Sequence, residues 1–191
     1  MVKVVVVNGR PESGKTIFEK KCVELVRASS TFWFDENKRV MVEMCSTVDF
    51  VKKIALKCGW DGVKTPRNRK FLSDLKDLLT EWDDVPFQKI LERVEDLCLY
   101  PNDFLLFVDC REPTEIQKLK ERLNATTVLV RRLGDEVSET SNHADANVFE
   151  YEYDYTIKNY GVKAFHIVIY EYIAKLFRGV SMYGYNRFWT N

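Results

Sequence analysis

A three-layer α/β fold, with a mostly parallel central sheet flanked by helices, is predicted by three observations on this 191-residue chain. Residues 2–8 form an almost unbroken apolar run, the pattern of a strand covered on both faces. Further apolar runs of strand length, at 40–45, 104–108 and 126–130, alternate with segments of helical period. The joints between them carry Gly, Pro, Asp and Asn where a chain changes direction. Alternation of this kind builds a parallel sheet with crossover helices on its faces.

Each element has its own local reason. The run Val2 to Asn8 is the first strand. Ile17, Phe18, Cys22, Val23, Leu25 and Val26 recur at mostly helical spacing, so a helix is expected from about Gly14 to Ala28. Val40, Met41, Val42 and Met44 make a second strand over Arg39 to Cys45. Ser46-Thr47-Val48-Asp49 has the form of a capping box, opening a helix to about Cys58. Thr65 and Pro66 pair as N-cap and first-turn residue. The helix behind them runs to about Trp82, with Phe71, Leu72, Leu75, Leu78, Leu79 and Trp82 along one face. Asp83-Asp84-Val85-Pro86 breaks the chain and starts another helix, ending near Leu97. Phe104 to Val108 is a strand closed by Asp109, and Pro113 to Leu123 a helix. Thr126 to Val130 is a β-branched strand closed by Arg131 and Arg132. A polar loop is expected over 133–147, a short strand over Tyr153 to Ile157 and a last helix over about 162–177. The aromatic tail 179–191 is left unassigned.

Composition narrows the function classes. Lys plus Arg and Asp plus Glu both number 29, so the net charge is zero, which argues against a nucleic-acid partner. No run approaches the ~18 apolar residues a membrane span needs, so no membrane role is expected. Met1-Val2-Lys3-Val4 lacks the apolar stretch of a secretory signal. The five cysteines, Cys22, Cys45, Cys58, Cys98 and Cys110, are scattered and never form a C-x-x-C pair. They read as reduced thiols in a cytoplasmic protein. A single domain over 1–191, of radius of gyration about 16 Å, accommodates the whole pattern.

One motif carries chemistry. Gly9-Arg10-Pro11-Glu12-Ser13-Gly14-Lys15-Thr16 fits G-x-x-x-x-G-K-S/T at every fixed position, between a buried strand and a helix. Gly9 and Gly14 let the backbone curl, so that N–H groups around Glu12 and Ser13 point inward at phosphate oxygens. The helix N-terminus adds its positive dipole end. Lys15 supplies a point charge for the β- and γ-phosphates, and the Thr16 hydroxyl is placed to ligate Mg²⁺. ATP as phosphate donor and Mg²⁺ as cofactor follow from this loop. Asp109, at a strand end, is a second candidate metal ligand, and Arg111 a candidate phosphate clamp. A regulatory GTPase would carry N-K-x-D, whereas Asn37-Lys38-Arg39-Val40 lacks the Asp and comes too early.

Four pieces in order give a family resemblance. They are the loop at 9–16, Val108-Asp109-Cys110-Arg111-Glu112, Val128-Leu129-Val130-Arg131-Arg132, and Asp154-Tyr155-Thr156-Ile157-Lys158-Asn159-Tyr160-Gly161. Together they resemble the P-loop nucleoside and nucleotide kinase superfamily, most closely the phage-type deoxynucleoside monophosphate kinases and their bacterial relatives. The loop after Arg132 is short, and Val162-Lys163-Ala164 stands where the family has a small residue followed by an acidic one.

The resemblance implies a P-loop NTPase fold and a Mg-ATP-dependent phosphotransferase. Its small phosphorylated acceptor would be a nucleoside or deoxynucleoside monophosphate. It further implies a helical acceptor-binding insertion over about 59–100 and a lid-like loop over about 133–147. Lys15, Asp109, Arg111 and Arg131 would be catalytic, and Asn159 and Gly161 would meet adenine. Trp60, Arg67, Lys70, Asp74 and Arg111 would hold the acceptor. A nucleoside, a polynucleotide 5′ end or a pantetheine-type metabolite fits the same residues as acceptor. A nucleotide-binding or ATPase module without a small acceptor stays open as well.

Overall fold

The computed structural model describes residues 1–28, 40–134 and 147–178. Most of the lid-like loop and the aromatic tail lie outside the described residues. The strands are β1 (Val2–Asn8), β2 (Val40–Ser46), β3 (Asp103–Asp109), β4 (Thr126–Arg132) and β5 (Tyr155–Asn159). The helices are α1 (Lys15–Ala28), α2 (Asp49–Lys57), α3 (Pro66–Asp83), α4 (Val85–Cys98), α5 (Pro113–Leu123) and α6 (Val162–Arg178), with a 3-10 turn at Asn147–Phe149.

All five strands run parallel in the order β2-β3-β1-β4-β5. The first strand therefore sits at the centre, which accounts for its composition. Val5 and Val7 face Phe18 and Cys22 of α1 and Phe165 and Ile169 of α6. Val4 and Val6 face Ile90 and Leu97 of α4 and Ile116 and Leu119 of α5. Consecutive strand residues point to opposite faces, so a strand between two helical layers must be apolar at every position. The same alternation splits β3. Leu105 and Phe107 join the first cluster, and Phe104, Leu106 and Val108 the second. Phe18 meets Phe107 edge-on, with ring centroids 5.9 Å apart.

The connections obey local rules, with three departures. Thr65 caps α3 by accepting from the Asn68 N–H at 3.1 Å. Only half of the expected capping box forms. Asp49 Oδ2 accepts from the Ser46 N–H at 2.8 Å, but α2 starts at Asp49 and its cap position is Val48. The last strand begins two residues later than its composition suggests. Asp154 accepts from the Thr127 N–H at 2.8 Å, fixing the chain beside β4, and pairing starts at Tyr155 opposite Val128.

The third departure concerns α3, in which no residue is buried. Leu78 is 62% and Trp82 82% exposed, although both belong to the apolar line that predicted the helix. The helix packs on α2 and α4. It is tied to α5 by an ion pair of Lys76 with Glu115 at 2.8 Å, both side chains nearly buried.

Candidate functional site

Every strand ends at the same edge of the sheet, and there the phosphate-binding motif meets Asp109, Arg131 and Asn159. This is the crevice at which open parallel sheets bind ligands. The loop from Gly9 to Gly14 is shaped by three left-handed residues, Gly9 (φ 153°), Glu12 (φ 61°) and Gly14 (φ 105°). A methyl group on Gly9 would overlap the Val130 carbonyl oxygen of β4, so the loop lies directly against the sheet. A methyl group on Gly14 would stand 2.7 Å from Asn159 Nδ2 and 3.3 Å from the Phe165 ring. Both glycines are therefore close approaches as well as turns.

Two asparagines brace the loop. Asn8, fully buried at the end of β1, accepts from the Gly9 N–H at 2.7 Å. Its amide donates to the Arg111 carbonyl at 3.1 Å and to the Tyr153 hydroxyl at 2.7 Å. That hydroxyl in turn donates to the Val148 carbonyl at 2.9 Å. From the far side, Asn159 Nδ2 donates to the Ser13 carbonyl at 3.0 Å, while its oxygen accepts from the Gly161 N–H at 3.1 Å. The residue that the family resemblance assigns to adenine thus holds the phosphate loop.

Lys15 folds back on its own loop, donating to the carbonyls of Gly9 and Arg10, the latter at 3.1 Å. Beside it stand two carboxylates. Asp109 Oδ1 is buried and makes no hydrogen bond. Burial lifts the Asp109 carboxyl above its usual range, against the pull of Lys15 and Arg111 and with a further push from Asp49. Glu19, one turn after Lys15 on α1, is 6% exposed. Burial first, and then the charge of Asp109, raise its pKa from 4.5 to about 8, while Lys15 opposes the shift.

The sign of this linkage gives a prediction. Between pH 4.5 and about 8 the folded chain holds a proton on Glu19 that the unfolded chain has released. Stability therefore falls as the pH rises through that window. In metal-free, nucleotide-free buffer, Glu19→Gln is expected to raise Tm over the wild type, by nothing near pH 4.5 and by most near pH 9. Thermal denaturation across the range checks it, and a flat difference would refute it.

A divalent cation fits these residues. The buried, unpartnered Asp109 Oδ1 and the Thr16 hydroxyl are hard oxygen donors, the type Mg²⁺ takes. Among the described residues no group of three or more His, Cys, Asp or Glu side chains could hold a metal. One or two carboxylates, completed by water and substrate phosphates, are the usual Mg²⁺ arrangement.

The arginines gather around one ring. Arg10 and Arg131 lie over Phe149, their guanidinium carbons 4.8 and 4.9 Å from its centroid. Phe149 thereby fixes Arg131 at the end of β4, close to the loop. The acceptor-side residues are arranged differently. Trp60 donates its indole N–H to the Val63 carbonyl at 3.2 Å, and Lys70 pairs with Asp74 at 2.6 Å, well exposed. Arg67 is exposed in the first turn of α3. Among the described residues no hydrogen bond or ion pair joins Trp60, Arg67, Lys70 or Asp74 to the phosphate loop. Asp49 and Lys52 of α2 do act on Asp109 electrostatically. The backbone explains their nearness, because Ser46 and Asp109 are register partners and the Thr47 N–H donates to the Asp109 carbonyl at 3.2 Å.

Sequence reasoning missed Glu19, Asn8, Phe149 and Lys52, and took Asp49 only as a cap. A signal existed for Glu19, which shares a helical face with Lys15 at i+4. Asn8, the polar residue closing an apolar strand, was another.

No protein-family model matches the chain, and no curated protein matches it. Solved structures similar to it include two that align over nine-tenths of the chain. Shikimate kinase from Aquifex aeolicus aligns at a TM-score of 0.42 and 15% identity, over 91% of this chain and 95% of that one. TT1252 from Thermus thermophilus aligns at 0.44 and 13%, over 91% and 97%. Among the described residues, no helix is long and apolar enough to cross a membrane.

Proposed function

We propose that this chain is a P-loop kinase that moves the γ-phosphoryl group of ATP to a small phosphorylated acceptor, a nucleoside or deoxynucleoside monophosphate. One observation carries the reading. The phosphate-loop motif is complete in sequence, its Gly9, Glu12 and Gly14 take positive φ, and Asp109 at the neighbouring strand end keeps a buried oxygen with no hydrogen-bond partner.

The roles follow from placement. The backbone N–H groups of Glu12, Gly14, Lys15 and Thr16 bind the donor's phosphates, and Lys15 leaves the loop carbonyls to neutralise them. Thr16 and Asp109 hold Mg²⁺, which when bound offsets phosphate charge. Arg111 and Arg131 clamp the transferring group and the acceptor's phosphate, in a reaction that depends on positioning and electrostatics. Asn159 and Gly161 bound the place for adenine. Trp60, Arg67, Lys70 and Asp74 belong to the acceptor side, in a helical insertion over about 59–100 of a single domain.

ADP formation from Mg-ATP, measured across ribo- and deoxynucleoside monophosphates, tests the proposal. Stimulation of at least tenfold by one or a few of them is the expected result. A slow rate indifferent to every monophosphate would overturn it and favour an ATPase module or a different acceptor.

A further inference from the structure

Glu19 has no place in the phosphate-loop motif, yet it is among the few charged side chains in the interior. It stands at i+4 from Lys15 and i+3 from Thr16, so all three share one face of α1 at its N-terminal end. Across from it is Asp109. A buried glutamate would ordinarily be held by a cation or by several donors. Among the described residues Glu19 makes no hydrogen bond and no ion pair. Lys15, the nearest cation to act on it, donates to the carbonyls of Gly9 and Arg10. Two carboxylates, from α1 and from the end of β3, are thus near enough to act on each other, with the exposed Thr16 one turn before Glu19 on the helix. There Asp109 Oδ1 is buried with no hydrogen-bond partner.

Keeping an unpaired carboxylate inside a core costs stability. A glutamine or methionine of similar size would fill the same volume without that cost. A divalent cation arriving with a nucleotide is the charge the pair is built to meet. We propose that Glu19 is the second carboxylate of the divalent-cation site, acting with Thr16 and Asp109 on the cation or on its water. This rests on the nucleotide-binding part of the kinase reading. It adds a residue that sets the affinity for the metal rather than for the nucleotide.

The test uses the full chain, ADP and Mn²⁺, with free Mn²⁺ followed by electron paramagnetic resonance. In EDTA, ADP should bind Glu19→Gln at least as tightly as the wild type, because the substitution removes no side-chain hydrogen bond or ion pair among the described residues. With ADP saturating, the variant's Mn²⁺ affinity should fall by about tenfold or more, the size seen when a carboxylate supporting a metal is removed. Opposite signs with and without metal would not arise if Glu19 merely packed. Glu19→Met repeats the experiment should the glutamine variant fold poorly. Unchanged Mn²⁺ affinity in either folded variant, with ADP bound, overturns the assignment of Glu19 alone. Failure of ADP to bind the wild type overturns the kinase reading and this inference with it.

Discussion

Replacing Lys15 by alanine is expected to lower the rate of phosphoryl transfer by about 10³-fold, the scale of losing one preorganised electrostatic contact to a transferring group. The surroundings make the loss that large. Lys15 is a cation lying between the loop and two carboxylates, and it opposes the upward shifts of both Glu19 and Asp109. Without it, an incoming triphosphate would face those carboxylates across a site of low dielectric. The loop itself should survive. Its N–H groups and carbonyls are braced by Asn8 and Asn159, and neither brace involves Lys15. Arginine should rescue poorly, because a planar fork cannot replace a compact ammonium within so tight a curl. ADP formation at saturating acceptor, with circular dichroism to confirm the fold, checks the expectation. A loss below tenfold would mean that Lys15 does not meet the transferring group.

What was legible beforehand divides along the range of the interactions involved. The phosphate loop, β1 and α5 are written in residues that lie next to one another, as a motif, an unbroken apolar run, and a proline followed by periodic Ile116 and Leu119. The exposure of α3 was not legible. The line from Phe71 to Trp82 has the correct period for a buried face, but period says only that a face exists. Whether something covers it depends on where the sheet ends. Asn159 makes the same point at the site. Its amide reaches Ser13 across 146 residues of sequence. A local reading could only carry over a role from the family, whereas the parallel register of β5 on β4 turns the side chain toward the loop. Glu19 was half legible. Its spacing from Lys15 was visible, but its burial requires α1 to be seated on the sheet by Phe18 and Cys22.

The glycines of the loop offer a sharper test of how the fold makes the site. Gly9→Ala should destabilise the protein by about 3 kcal/mol, combining overpacking with strain at a positive φ. For a chain of this size that lowers Tm by roughly 10 °C. The added methyl meets a backbone oxygen, that of Val130, and this oxygen has little room to retreat. Val130 sits in a strand paired on both sides, through Asn8 opposite Leu129 and through Ile157 opposite Val130 itself. Either β4 moves and both ladders stretch, or the loop lifts off the sheet and its N–H groups lose their aim. Gly14→Ala meets a side chain instead, the Asn159 amide, which can swing aside. That variant should keep more of its stability while losing the Asn159 to Ser13 hydrogen bond, and with it affinity for ADP. Urea midpoints and ADP titrations on the two variants separate the effects. If Gly9→Ala proved as stable as the wild type, the loop would not rest on β4. Its shape would then be a property of the motif alone, rather than of the sheet beneath it.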